Sequence, residues 1–138
     1  MTVQAIDIHT HIVPAEFPAY AGKHGGAHWP SMAAAHDCQH KNVMIDGKNF
    51  RTVSDECWDV DRRAEAMERM RIARQVLSPM PELLSYWLPL DDALPLIRHV
   101  NDTIAAMVAR RCPRGRGLRR RHRTTGRGRA RAPRAADL

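Results

Sequence analysis

Two histidines near the N-terminus have the spacing of a metal half-site. His9 and His11 are separated by one residue and follow the apolar run 3–8, which predicts a short buried strand. Residues i and i+2 of a strand point to the same face, so both imidazoles can converge on one ion. Zinc accepts imidazole nitrogens and usually takes three or four protein ligands. The spacing is equally typical of two surface histidines at a strand end.

The segment that follows these histidines predicts a loop and a hairpin. Residues 14–40 are rich in Gly, Ala, His and Pro, and they predict a long loop with one short helix. Asp46-Gly47 is a strong two-residue turn signal inside a hairpin predicted over Val43–Val53. The four histidines of the loop have a spacing that fits no known metal site, and we interpret them as loop residues: His24, His28, His36 and His40.

Two helices and a second strand complete the patterned region. Asp59 or Asp61 is expected to cap a helix that runs to about Met70 and buries Ala64, Met67 and Met70. A strand over 75–78 follows. Asp91 or Asp92 should open a longer helix whose inner face consists of Leu94, Ile97, Asn101, Ile104 and Met107 or Val108. Strands alternating with helices predict a parallel α/β fold.

Charge and composition divide the chain into two parts. Residues 1–109 carry ten Lys/Arg and fourteen Asp/Glu, a net charge of −4, whereas residues 110–138 carry twelve Arg and one Asp, a net charge of +11. Residues 114–138 have no hydrophobic period, which predicts a disordered Arg-rich tail. Three cysteines without a C-x-x-C motif, no signal peptide and no membrane-length apolar run predict a reduced, cytoplasmic protein without a membrane partner.

Several motifs between residues 5 and 113 resemble one enzyme family. The opening 6–14, the segment Asp46 to Arg51, and Cys57-Trp58-Asp59 are similar to the aminocarboxymuconate semialdehyde decarboxylases of the amidohydrolase-related superfamily. The later matching pieces are Arg63-x-x-x-Met67, Gln75 to Ser78, Ser85-Tyr86-Trp87 and Asn101-Asp102. One departure is Arg71, which stands where the family usually has a glycine suited to a left-handed helix end.

The resemblance implies a zinc-dependent, non-oxidative decarboxylase on a (β/α)₈ barrel, acting on a small-molecule carboxylate. His9 and His11 would be two metal ligands, and Arg51 would bind a substrate carboxylate through two parallel hydrogen bonds. Without the resemblance, Arg51 is read more simply as a solvated hairpin arginine. The resemblance also implies that a full-length protein of this family can form a homodimer. Arg51 and the Cys-Trp-Asp segment favour decarboxylation over the alternative, hydrolysis of an amide or lactone on the same scaffold.

The resemblance also implies residues that this sequence lacks. The family supplies another metal-binding His, a metal-binding Asp and a catalytic His from later strands, so no catalytic residue is expected in this chain. A complete barrel needs about 250 residues. We therefore expect 1–113 to be the N-terminal portion of a barrel domain, truncated and inactive as given.

The Arg-rich tail allows two interpretations. A change of reading frame in a GC-rich gene explains the abrupt switch to Arg, Gly, Ala and Pro over 114–138, and the nucleotide sequence tests it. The alternative is a nucleic-acid-binding tail, because arginine clusters bind phosphate. The tail has no aromatic residue for base stacking, so no specific nucleic-acid partner is expected.

Overall fold

The computed structural model describes residues 5–111 as a mixed α/β fold. Its elements are β1 (Ala5–Ile12), β2 (Ser31–Ala34), β3 (His40–Ile45), β4 (Lys48–Ser54), α1 (Val60–Arg69), β5 (Ile72–Pro79) and α2 (Leu90–Arg111), with short 3-10 turns at Asp55–Cys57 and Pro81–Leu84. The predicted disorder of 114–138 lies outside the described residues. Within 5–111, neither helix combines the length and the hydropathy needed to cross a bilayer.

Strands β1 and β5 form a two-stranded parallel sheet, which confirms the parallel α/β prediction. Thr10 lies opposite Leu77, and Ile12 lies opposite Pro79, so the carboxyl ends of both strands meet at one edge. The register shifts between Asp7 and Thr10. The predicted strand over 75–78 is confirmed, and it is longer than predicted.

The prediction that β1 is buried is correct only for its second half. Thr10 and Ile12 are buried, but Ile6 is 58% exposed and Ile8 is 78% exposed. The reason is that β5 is the only strand paired with β1 within the described residues, and the core gathers at the carboxyl end of both strands. The apolar first half of β1 therefore faces solvent.

The remaining strands form an antiparallel sheet in the order β2-β3-β4. The predicted hairpin is confirmed: Asp46 and Gly47 have φ of 53° and 71°, as a type I′ turn requires. The prediction of a short helix within 14–40 is wrong, because Ser31–Ala34 is a strand. Met32 pairs with Val43 and packs against the core, and this tertiary contact sets the local structure.

Helix α1 begins and ends as the sequence predicts. The Asp59 side chain accepts hydrogen bonds from the backbone N–H groups of Asp61 and Arg62, so it is the N-cap. Arg71, just beyond the helix, has a left-handed φ of 57°. A non-glycine residue in that conformation costs about 1 kcal/mol. Met70, predicted to be buried, is exposed because the helix ends at Arg69.

The buried face of α2 differs from the predicted one by about one residue. Ala93, Leu96, Val100 and Met107 are buried, whereas Asn101 is exposed. Met107 is buried as predicted, and Leu94, Ile97 and Ile104 are half-buried. One residue corresponds to a rotation of about 100° around the helix. Leu96 is fully buried in a core that also contains Ile12, Val13, Val43, Val53, Met80 and Leu83.

Asp92 lies in the first turn of α2 and is not the helix cap that was expected. It is 5% exposed, and its carboxylate accepts hydrogen bonds from Tyr20 Oη at 2.5 Å and His24 Nδ1 at 3.0 Å. The backbone N–H groups of Lys23 and His24 also donate to it. The hydrogen bond from Tyr20 is the main cause that lowers the pKa of Asp92 to about 2. Asp92 thus fastens the loop around His24 to α2.

The hydrogen bonds to the Asp92 carboxylate predict a loss of folding stability in acid. The folded pKa of Asp92, about 2, is below its ordinary value of 3.8, so the carboxylate contributes fully above pH ~4. That contribution should disappear as the pH falls from about 4 to about 2. We expect Asp92→Asn to be less stable at neutral pH and to show a flatter profile across this window in urea unfolding. Asp91→Asn, an exposed neighbour, is the control; identical profiles for both variants would contradict the prediction.

Candidate metal centre

His9 and His11 lie near the carboxyl end of β1, where the strand enters the core. The backbone N–H of Met80 donates to the Ile12 carbonyl at 3.1 Å, and the N–H of Val13 donates to the Cys57 carbonyl at 3.2 Å. Ile12 and Val13 are almost completely buried. The segment that carries the two histidines is therefore fixed at its end by both backbone hydrogen bonds and packing.

The two imidazoles lie on the same side of β1, as their spacing predicts. Their Nε2 atoms are 3.2 Å apart, the ring centroids are 4.9 Å apart, and the planes meet at 80°. Two nitrogens bound to one tetrahedral zinc at about 2.0–2.1 Å lie roughly 3.3 Å from each other. The observed separation of 3.2 Å is close to this distance.

The hydrogen-bond partners of His11 determine which of its ring nitrogens carries the hydrogen. His11 Nδ1 lies 3.1 Å from the Pro79 carbonyl oxygen, which can only accept, so Nδ1 carries the hydrogen. The lone pair is then on Nε2, which is the tautomer of a metal-binding histidine with an outer hydrogen-bond partner on Nδ1. Ser78 Oγ also lies 3.1 Å from Nδ1 and donates to the Thr10 carbonyl.

Arg63 connects helix α1 to both histidines through a chain of hydrogen bonds. Its guanidinium donates to the His11 carbonyl at 2.7 Å and to Gln75 Oε1 at 3.0 Å. Gln75 donates to Asp7 Oδ2, and Asp7 Oδ1 accepts from the backbone N–H of His9. Burial lowers the pKa of Arg63, although the group remains a cation. This chain fixes the backbone on both sides of the histidine pair.

Sequence reasoning missed these supporting residues. No role in the site is predicted for Arg63 from the sequence, yet it lies three residues after the buried Val60 and next to the buried Ala64. That position, at the edge of the apolar face, is the signal that could have identified it. Gln75 and Ser78 were recognised only as parts of a strand, because their partners come from another strand and from a helix.

Arg51 lies apart from the histidine pair, on the second sheet. It is an exposed residue of β4, opposite Val43, and its guanidinium carbon lies 5.8 Å from the Phe50 ring centroid. No carboxylate within residues 5–111 forms an ion pair with it. The side chain is therefore available to a ligand, which is also true of a solvated hairpin arginine.

A cavity of about 530 Å³ lies between α1, β5 and α2, away from the histidine pair. Apolar side chains such as Met67, Ile72, Leu77 and Met107 contribute much of its lining, and Arg63 and Gln75 border it. Neither His9 nor His11 lines it. The cavity is consistent with incomplete packing of the two helices on a sheet of two strands, and it offers no convergent catalytic groups.

Two known proteins are similar in sequence to most of this chain. It matches no family model. It is 41% identical to a protein of Dictyostelium discoideum over 113 residues, which are 82% of this chain and 31% of that protein. It is 33% identical to a Caenorhabditis elegans protein over 106 residues, 73% of this chain and 25% of that protein.

Both relatives are named 2-amino-3-carboxymuconate-6-semialdehyde decarboxylase. The resemblance to these decarboxylases is thereby confirmed, and the hydrolase alternative is not favoured. The chain spans between a quarter and a third of the length of these two relatives.

Proposed function

We propose that this chain is part of a zinc-dependent, non-oxidative decarboxylase whose substrate is a small carboxylate of the kind named for its relatives. The observation that carries the proposal is the pair of Nε2 atoms 3.2 Å apart on His9 and His11, with the His11 tautomer set by the Pro79 carbonyl. The names of the two relatives support the decarboxylase assignment.

Each proposed site residue has one task. His9 and His11 hold the ion, and Arg63 keeps their strand in place through the His11 carbonyl. Arg51 binds a carboxylate of the substrate and orients it. A bound zinc ion supplies a Lewis acid and lowers the pKa of a coordinated water.

We further propose that residues 1–113 belong to a (β/α)₈ barrel. The parallel pair β1 and β5 with the intervening α1 has the architecture of a β/α unit, and α2 follows β5. In such barrels the active site lies at the carboxyl ends of the strands, which is where His11 and Ser78 lie side by side. The proposal extends to a cytoplasmic, homodimeric full-length protein.

The 138-residue chain alone should bind zinc weakly at this centre and should not turn over substrate. Two imidazoles provide only part of the three or four protein ligands that zinc requires. Incubation of the metal-loaded chain with 2-amino-3-carboxymuconate 6-semialdehyde, followed by measurement of CO₂, tests this expectation. Release of CO₂ at an enzyme-like rate would contradict it.

A chimaera tests the metal centre in a complete protein. In it, the matched residues of this chain replace the matched segment of the Dictyostelium relative. We expect His9→Ala and His11→Ala each to remove one equivalent of zinc and to lower decarboxylation to background, because each removes a ligand. His28→Ala, whose exposed imidazole pairs with Asp46, is the control and should retain both. Undiminished activity in either ligand variant would refute the proposed centre.

A further inference from the structure

Three side chains at the turn between β2 and β3, including the first residue of β3, lie close together. They are His36, Asp37 and His40, and their ligand atoms all lie within 4.8 Å of one another. We propose that this turn is a second metal site, distinct from the His9 and His11 centre, that takes a zinc-like transition-metal ion. The two places share no residue and belong to different sheets.

The carboxylate of Asp37 lies between the two imidazoles. Its Oδ2 is 2.9 Å from His36 Nε2, and its Oδ1 is 2.8 Å from His40 Nδ1. The two rings are stacked, with centroids 5.7 Å apart and planes inclined by 15°. A nitrogen of each ring thus lies close to the same carboxylate. To bind one ion, the stacked rings would have to rotate until both ring planes contain it.

The backbone of the turn is held independently of any ion. The N–H of Gln39 donates to Asp37 Oδ1 at 2.8 Å, and the Gln39 carbonyl accepts from the N–H of Asp55 at 2.7 Å. On either side, Ala34 of β2 pairs with Lys41 of β3. A ligand set on a turn fixed at both ends loses little conformational entropy when it binds, which favours affinity.

The ligand atoms of His36, Asp37 and His40 determine which class of metal ion this second site would prefer. Two imidazole nitrogens and one carboxylate oxygen suit zinc, copper(II) or nickel, whereas magnesium and calcium prefer oxygen ligands. His36 and Asp37 are exposed, so water can complete the coordination. Sequence reasoning dismissed these histidines as loop residues. The strand β2, which was not predicted, creates the hairpin turn that brings them together.

Cys38 lies inside the turn, but its thiol is not among the three converging ligand atoms. The proposal therefore requires a nitrogen and oxygen site without sulfur. Cys38→Ser should leave the affinity for zinc unchanged, and a cobalt-loaded sample should show no sulfur-to-cobalt charge-transfer absorption.

Titration of the whole 138-residue chain with zinc tests the site. The starting variant is His9→Ala with His11→Ala, in which the first centre has no histidine, so failure of one centre does not affect the conclusion about the other. We expect one equivalent of zinc to bind to this variant. Adding His36→Ala, Asp37→Asn or His40→Ala should weaken binding by at least about tenfold. His28→Ala, another exposed histidine paired with an aspartate, should not weaken it.

Each result decides the proposal. Zinc affinity that survives His36→Ala with His40→Ala would overturn it, and so would affinity that disappears with Cys38→Ser. Copper(II) supplies a second measurement: its electron paramagnetic resonance spectrum should show coupling to two nitrogens, and one after His40→Ala. Circular dichroism of each variant checks the fold, which exposed substitutions in a turn should preserve.

Discussion

Replacing Arg51 by alanine in the chimaera should lower kcat/KM by about a hundredfold or more and leave the zinc content unchanged. The proposed partner of Arg51 is a substrate carboxylate, which it binds as a planar cation with two parallel donors. Hydrogen bonds to charged groups contribute about 1.5–3 kcal/mol each, so loss of both donors supports this magnitude. Steady-state kinetics and metal analysis of the same preparation measure the two quantities.

Two further variants locate the cause of the Arg51 effect. Arg51→Lys keeps the charge without the planar pair of donors, so it should recover only part of the activity. Lys48→Ala removes another exposed cation from the same strand and should change kcat/KM little. A parallel loss of zinc and activity in Arg51→Ala would instead indicate a structural role.

Leu96→Ala should destabilise the 138-residue chain by about 2–5 kcal/mol, the usual cost of a large cavity in a packed core. Leu96 is fully buried, and its side chain joins α2 to the core shared by both sheets. Native domains are stable by only about 5–15 kcal/mol, so this change would remove a large share of the free energy of unfolding. Urea unfolding followed by circular dichroism measures the change.

Leu90→Ala is the matched control, because it removes the same atoms from the same helix. Leu90 is 69% exposed, so its loss should change the stability by no more than about 0.5 kcal/mol. Similar destabilisation by the two variants would mean that α2 does not pack through the face that contains Leu96.

The features that the sequence predicted correctly depend on neighbouring residues. The side-by-side imidazoles follow from the alternation of β1, and the hairpin follows from Asp46-Gly47, which favours positive φ. Asp59 caps α1 with its own side chain. Arg71 is left-handed, as the glycine of the resembling family suggested. Each of these conformations is decided within a few residues, so the local sequence is sufficient.

The features that were missed depend on contacts between distant residues. The face of α2 is set by what Leu96 and Val100 meet, and those partners come from other elements. Strand β2 exists because β3 pairs with it, although Ser31–Ala34 has little strand character of its own. Arg63 reaches the carbonyl of a residue 52 positions away. The hydrophobic periodicity of a single segment cannot predict which distant residues that segment will contact.

The exposed isoleucines of β1 determine how the isolated chain behaves in concentrated solution. Ile6 and Ile8 lie on a strand whose second edge is unpaired within residues 5–111. An apolar strand with an open edge is a template for intermolecular pairing and aggregation. Association should therefore increase with protein concentration and begin at β1, the strand that carries His9 and His11. Light scattering would measure the growth of these associated species. The variant Ile8→Lys should suppress the association, because it places a charge on the exposed apolar strand.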